Sequence, residues 1–373
     1  MNFRTRKALA LLLPLGLFVA ACGDGNGSAE TTTTSATTGG SSTAGSPASS
    51  DPGGSSSTPS TGGRLTLYSG RNETLVAPLI EMFKKSTGID AEVRYGSSAE
   101  MGAALMEEGK STPADVFFSQ EVGAVGVLAK AGLLSPLPDD VVNLVDERYR
   151  PPAGNLWVGV TGRSRVIVYN KDQLPTPPKS VTELTDPKYK GKVAIVPGNA
   201  GFQAFITAFR VSKGEDAARK WLEEMKANDV ITSIESNDDV LSAVDAGQLQ
   251  IGLINHYYWA KSLAETGGAD KRAAQLVFPS GDDPGGLVNA TAVGITSNGG
   301  KNPAALAFVK FLMSAEAQKF FATETFEYPL IDGVDDPAGI PALQSLQGPQ
   351  LDLTDLDSLE ATQKLLTDLG LLS

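Results

Sequence analysis

The chain contains one cysteine and one histidine in 373 residues. A single cysteine excludes an internal disulfide and a thiolate metal cluster. A single histidine excludes the multi-histidine sites typical of zinc and copper. No Gly-x-Ser-x-Gly elbow and no His-Glu-x-x-His pair is present, so the best-marked hydrolase and metalloprotease arrangements are absent. No motif spaces a pair of carboxylates for hydrolysis. Positive charge is also scarce: 31 Lys and Arg stand against 43 Asp and Glu, a formal charge of −12. That balance argues against nucleic acid and against electrostatic attachment to a membrane surface. There is no apolar run long enough to span a bilayer, and no internal repeat of fixed period.

The first sixty residues read as export and attachment rather than fold. Arg4, Arg6 and Lys7 precede an apolar run over Ala8 to Ala20, the pattern of a secretory signal without twin arginines. The run ends in Val19-Ala20-Ala21-Cys22, which resembles a bacterial lipobox, with Cys22 as the lipidated mature N-terminus. Ordinary cleavage, with Cys22 incidental, is the competing reading. Acylation there implies a membrane anchor, each chain adding about 0.8 kcal/mol per buried methylene, and a place on the outer face of the cell membrane. Loss of the leader's three basic residues takes the formal charge to −15. Residues 23–63 are dominated by Gly, Ser, Thr, Ala and Pro, with no aromatic and no aliphatic residue beyond alanine. Such a segment buries too little apolar surface to offset its ordering entropy. It reads as a tether with an r.m.s. span of roughly 35 Å. The domain plan is therefore a signal over 1–21, Cys22 and tether over 22–63, and a globular remainder long enough for two lobes.

Strand and helix patterns alternate through that remainder, an α/β pattern. Leu65 to Tyr68 reads as a buried strand, followed by a helix with Leu75, Leu79, Met82 and Phe83 on one face and Gly88 at its end. Ala91 to Tyr95 and Asp115 to Phe118 are further strands, with a helix capped by Ser97 or Ser98 between them. The rhythm implies a parallel sheet with helices on both faces. Two long extended stretches, near 157–169 and 287–295, are candidate crossovers between lobes. They divide the remainder into 64–161 plus about 288–335, and 162–287 plus about 336–373, with ligand expected in the cleft between.

The most informative run is Asn255-His256-Tyr257-Tyr258-Trp259, where a buried strand gives way to a helix. Adjacent tyrosines point apart on a strand but can converge at such a turn. A phenol ionises near pH 10, so two phenolates at neutral pH need a strong local positive charge, which a highly charged cation supplies. Among hard metals this donor set favours Fe³⁺. Aromatic pairs at strand ends also serve simple packing, and the residues alone leave both readings open.

Six short markers occur in order: Tyr68-Ser-Gly-Arg71, Ala114-Asp-Val-Phe117, Gly162-Arg-Ser-Arg-Val166, Val196-Pro197 with its Gly/Ala-rich turn, Asn255-His-Tyr-Tyr-Trp259 and Glu327-Tyr-Pro-Leu330. Together they resemble the ferric-ion-binding protein family of iron ABC transporters over about residues 65–330. The resemblance implies a type II periplasmic binding protein with two α/β lobes and two crossover hinge strands. It implies delivery of Fe³⁺ to an ABC permease by a non-enzymatic, monomeric protein. It matches Tyr257 and Tyr258 to the family's paired metal ligands. Arg163 matches the arginine that holds a synergistic anion (carbonate, phosphate or citrate), with Arg165 as the alternative. Asn199, Ala200 and Gly201 match an anion-binding turn at a helix start, and Asn237 and Asn255 match asparagines that touch that anion.

The chain also departs from the pattern. Asn72 stands where many members have a histidine, and the adjacent Glu73 is either a substitute ligand or an acid complementing a helix dipole. Gln120 and Glu121 stand where some members have an acidic ligand, and Phe202 where others have a third tyrosine. His256 is expected to orient a neighbour or face solvent rather than bind metal. The competing expectations are the same fold holding a polyamine, thiamine, phosphonate or sugar acid, an exported enzyme, or an adhesin.

Overall fold

The computed structural model describes residues 63–372. The expected signal over 1–21, Cys22 and the tether up to residue 62 lie outside the described residues. No helix among the described residues is long and apolar enough to cross a membrane.

The chain runs β1 (Arg64–Ser69), α1 (Glu73–Thr87), β2 (Asp90–Tyr95), α2 (Ser98–Glu108), β3 (Val116–Ser119), α3 (Val122–Lys130), β4 (Leu134–Ser135), α4 (Asp139–Val142) and β5 (Val158–Asn170). It continues through β6 (Val193–Ala194), α5 (Ala200–Lys213), α6 (Glu215–Ala227), α7 (Asn237–Asp245), β7 (Ile251–Asn255), α8 (His256–Thr266), β8 (Ala274–Val277) and β9 (Val288–Thr296). It closes with α9 (Pro303–Leu312), α10 (Ala315–Phe320), a π-helical turn (Phe321–Thr325), β10 (Tyr328–Pro329) and α11 (Leu359–Asp368).

Local sequence explains the first elements. Asn72 caps α1, its side chain accepting from the Thr74 amide, and Gly88 ends the helix in the left-handed conformation that favours glycine. The buried stripe of α1 is Val76, Leu79, Ile80 and Phe83. Leu75 and Met82, expected on that face, are only half-buried. Ser97 rather than Ser98 caps α2, in a reciprocal capping box with Glu100.

The sheet order is β2-β1-β3-β9-β5-β7-β6. Pairs joined through helices (β1 with β2 and with β3, β6 with β7) are parallel as expected. The sheet is nonetheless mixed, because β9 runs antiparallel to β3 and β5, and β5 runs antiparallel to β7. A helical return makes neighbours parallel, and a strand arriving from the other lobe is not bound by that rule. β5 is one continuous strand that changes partners midway. Through Ser164 it pairs with β9, and with β10 at Gly162, while from Arg165 onward it pairs with β7.

The cores follow the same division. Leu67, Phe83, Phe117, Trp157 and Phe308 belong to one buried cluster. Ile167, Phe205, Trp221 and Leu253 form a second, and Val166, Val168, Val240 and Ile254 a third. Consecutive residues of β5 thus feed opposite faces, as the two-residue period of a strand covered on both sides requires.

The C-terminal stretch, read from sequence as part of the second lobe, touches both. Leu353 and Leu356 join the first cluster, whereas Leu365 and Leu366 of α11 join the second. The link is tight: a Cβ on Gly123 of α3 would lie 2.2 Å from the Leu356 carbonyl oxygen. Gly123→Ala is therefore expected to displace residues 353–357 and lower stability by about 1–3 kcal/mol, the usual range for overpacking. The midpoint of urea unfolding measures it, with Gly132→Ala, a glycine at positive φ with open space around it, as the purely conformational control.

Candidate functional site

β7 delivers Asn255 to the mouth of the sheet, and α8 begins with the next residue. The turn brings the Tyr257 and Tyr258 rings side by side, centroids 4.4 Å apart with 34° between planes. Both rings are half-buried. The Asn255 amide donates to the Tyr257 hydroxyl at 3.4 Å. Burial pushes the Tyr257 pKa well above an ordinary phenol, and the neighbouring Tyr258 adds to the shift; Arg163 and the Asn255 amide oppose it. Without a further cation Tyr257 therefore holds its proton.

β5 lies directly alongside, with Arg165 paired opposite Asn255 in the ladder. Arg163 and Arg165 share one strand face by the two-residue period, and both line a cavity of about 20 Å³ with Gly201, Asn255 and Asn289. That volume holds roughly one water. The two guanidinium groups are committed differently. Arg163 donates to the Gln120 carbonyl oxygen, and its Nε lies 3.8 Å from Glu327. Arg165 instead reaches the start of α5, 3.5 Å from the Asn199 carbonyl oxygen Oδ1, and donates to the Leu253 carbonyl at 3.4 Å. Among the described residues Arg165 is the one buried arginine with no carboxylate partner; Arg71 and Arg163 face Glu327, Arg210 faces Glu215 and Arg272 faces Asp245. Its Nε has no hydrogen-bond partner. Burial lowers its pKa to about 10, while the two tyrosines beside it favour the charged form.

The α5 turn completes this cradle. Asn199 caps the helix by accepting from the Phe202 amide at 3.2 Å. A Cβ on Gly201 would lie 2.7 Å from Asn255 Nδ2 and 3.0 Å from Arg165 Nη2. The missing side chain leaves the Ala200 and Gly201 N–H groups, which have no intrahelical acceptor, open beside the guanidinium. Ala200, first in the helix, is exposed.

The remaining expected residues fall elsewhere. Asn72 spends its side chain on capping α1, and Glu73, in the first turn of that helix, is exposed. Gln120 contributes its backbone, donating to Ser98 Oγ and accepting from Arg163. Glu121 is buried, with Oε2 unpartnered, and burial raises its pKa to about 7 against the opposing field of Arg163. Asn237 is buried with neither side-chain polar atom hydrogen-bonded, and no contact joins it to the Arg165 cradle. Phe202 packs in the second core. Among the described residues no three His, Cys, Asp or Glu side chains converge as a metal set. Two residues given no role from sequence are central here. Glu327 pairs with Arg71 at 2.9 Å and faces Arg163, and Asn289 lies opposite Arg163 in the β5–β9 ladder. Glu327 stood inside a recognised marker, but its partner lies 256 positions away, beyond any local pattern.

Glu121 generates a pH prediction. Its folded pKa is raised, so between about pH 4.5 and pH 7 the folded chain holds a proton that the unfolded chain has released. Stability should fall across that window, by up to about 3 kcal/mol, and level off above it. Glu121→Gln should flatten this fall in urea titrations at pH 5 and pH 8; an unchanged slope would show that other groups set the dependence.

A family model of bacterial extracellular solute-binding proteins matches residues 111–348. The chain is 34% identical over 312 residues to the Fe(3+)-binding periplasmic protein of Serratia marcescens, covering 83% of this chain and 90% of that protein. It is 31% identical over 310 residues to the major ferric iron-binding protein of Neisseria meningitidis, covering 82% and 93%. The crystal structure of iron-bound HitA from Pseudomonas aeruginosa superposes with a TM-score of 0.74 at 30% identity, covering 82% of this chain and 99% of that one. A Trichodesmium protein (IdiA, FutA) in complex with iron and citrate superposes with a TM-score of 0.68 at 28% identity, covering 82% and 99%. The chain belongs to the bacterial extracellular solute-binding proteins and groups there with ferric-iron-binding relatives.

Proposed function

We propose that this protein captures ferric iron outside the cytoplasm, together with a small oxyanion or a chelator, and hands it to an ABC permease without chemical conversion. The observation that carries the reading is the Tyr257–Tyr258 ring pair beside the carboxylate-free Arg165. A trivalent cation supplies the field needed to ionise buried phenols. Arg165, Asn255 and the α5 N-terminus offer the complementary place for an anion. With no carboxylate or imidazole cluster at hand, the anion, a chelator or water completes the iron's coordination. Glu73, exposed in the first turn of α1, is a further candidate. Gln120 and Glu121 are weaker ones, since the Gln120 carbonyl is taken by Arg163 and Glu121 is buried. Of the two arginines we assign the anion to Arg165, because Arg163 is held by Glu327 and Gln120. Cys22 is assigned as the lipid anchor and the protein as a monomer tethered at the outer membrane face. The lobes, divided at about 161–162 and 287–288, are proposed to close on the cargo by hinge motion in β5 and β9. A phosphonate or sugar acid would use the same cradle but would leave the paired phenols without a task.

Loading the mature protein with ferric citrate should turn it orange to red through a tyrosinate-to-iron charge-transfer band. Tyr257→Phe and Tyr258→Phe should each weaken the band, and the double variant should abolish it while the circular dichroism stays unchanged. A colourless protein that releases no heat on ferric titration would remove the iron reading. Arg165→Gln should weaken iron retention about 10- to 100-fold, as loss of a supporting group typically does, and should blunt any dependence on added carbonate or citrate. Arg163→Gln should act chiefly on stability, measured as the unfolding midpoint.

A further inference from the structure

We propose that His256 is a positioning residue: its neutral imidazole pins the start of α8, and with it Tyr257 and Tyr258, both to the crossover strand β5 and to the backbone at Phe326. The inference rests on the iron reading above and concerns how that site is held in register.

The ring is fully buried and is the first residue of the helix that carries the tyrosines. Nδ1 accepts from the Ser164 amide at 3.1 Å, and Nε2 lies 3.0 Å from the Phe326 carbonyl oxygen. Nδ1 also lies 3.4 Å from the Ser164 carbonyl oxygen, but the two shorter contacts, to the Ser164 amide and the Phe326 carbonyl, are satisfied together by one neutral tautomer, with the proton on Nε2. Protonating Nδ1 would set it against the Ser164 N–H.

Both anchors are unusual positions. Ser164 is the last β5 residue paired with β9, and Arg165 the first paired with β7. The His256 bond therefore occupies a backbone donor at the point where the strand changes neighbours. Phe326 follows the π-helical turn and has φ of 56°, a left-handed conformation rare for a bulky residue. The next residue, Glu327, is held by Arg71 at 2.9 Å and Thr325 at 3.0 Å. Tyr328 then pairs with β5 at Gly162 and stacks on the imidazole, centroids 4.5 Å apart at 26°. The other side of the ring meets Tyr257 edge-on at 5.9 Å. His256 thus sits between a doubly fixed segment of the first lobe and the tyrosine pair. Movement of the lobes about β5 is transmitted through it to the phenol oxygens.

The test separates the two hydrogen bonds. His256→Phe keeps the stack and loses both, His256→Asn can keep the acceptor for Ser164, and His256→Gln can keep the donor to Phe326. The readouts are the position of the charge-transfer band, the rate of iron release to excess chelator, and hydrogen exchange at the Ser164 amide in metal-free protein. We expect His256→Phe to shift the band, accelerate release about 10- to 100-fold and expose the Ser164 amide to exchange. Asn should restore amide protection, and Gln should recover most of the retention. A merely structural histidine would lower the unfolding midpoint yet leave band position and release rate as in the wild type, and that result overturns the proposal. If His256→Phe does not fold, the Asn and Gln variants decide by the same readouts. A wild-type protein with no band removes the iron reading and this inference together; a wild-type band with unaltered variants removes this inference alone.

Discussion

One buried carboxylate organises the positive charge of the cleft. Glu327 lies inside the protein with Arg71 2.9 Å away and Arg163 3.8 Å away. Burial alone would raise its pKa, but the two guanidinium groups more than offset that effect and hold it below the usual value. It is therefore a permanent anion, and breaking such a pair would leave uncompensated charge in the interior. The Arg71 guanidinium also stands over the Phe118 and Phe321 rings at 5.4 and 5.8 Å, a cation–π arrangement that adds to its anchoring. With Arg71 and Arg163 occupied, the third arginine of the group, Arg165, is the one left facing the tyrosines and the α5 N-terminus. The chemistry offered to a ligand is thus set by a residue that does not line the cavity.

This division of labour explains how far the sequence could be read. Strand and helix periodicity located β1, β3, α1 and both crossovers, because those signals are local. The Asn255–Trp259 run was legible for the same reason: it marks where a buried strand ends and a helix starts, and the turn itself makes adjacent rings converge. The choice between Arg163 and Arg165 was not legible. Both sit on one face of one strand, and only Glu327 and the Gln120 carbonyl, supplied from distant parts of the chain, tell them apart. Sheet direction failed for a related reason, since β5 and β9 arrive by crossing between the lobes rather than by a helical return. The tail, read from sequence as part of one lobe, also touches the other, because Leu353 and Leu356 join the core cluster that includes Val122, Val125 and Leu128 of α3.

The expected ligand shell shows the limit of transferring roles by position. Asn72 and Glu73 occupy the place of a metal-binding histidine, yet one caps a helix and the other faces solvent. Glu121 occupies the place of an acidic ligand but is buried, with one carboxylate oxygen unpartnered. The protein offers two phenols and a cationic cradle. A ligand set of that kind asks its cargo to bring oxygen donors along, and this chemistry suits an iron–anion complex better than a bare ion.

The phenols also tie capture to protons. Tyr257 is held well above the ordinary tyrosine pKa by burial and by its neighbour, so at neutral pH it enters the binding step protonated. In the proposed site, seating a trivalent cation on it must expel that proton. By linkage, a reaction that releases protons tightens as pH rises and loosens as it falls. Each proton released contributes about a tenfold change in apparent affinity per pH unit while the phenol remains protonated in the free protein. The burial that makes Tyr257 a poor acid in the empty cleft therefore does not oppose iron binding so much as make it conditional. A trivalent cation exerts a stronger field on the phenol oxygen than a divalent one of similar size, so a Tyr257 held far from ionisation in the empty site favours the trivalent ion.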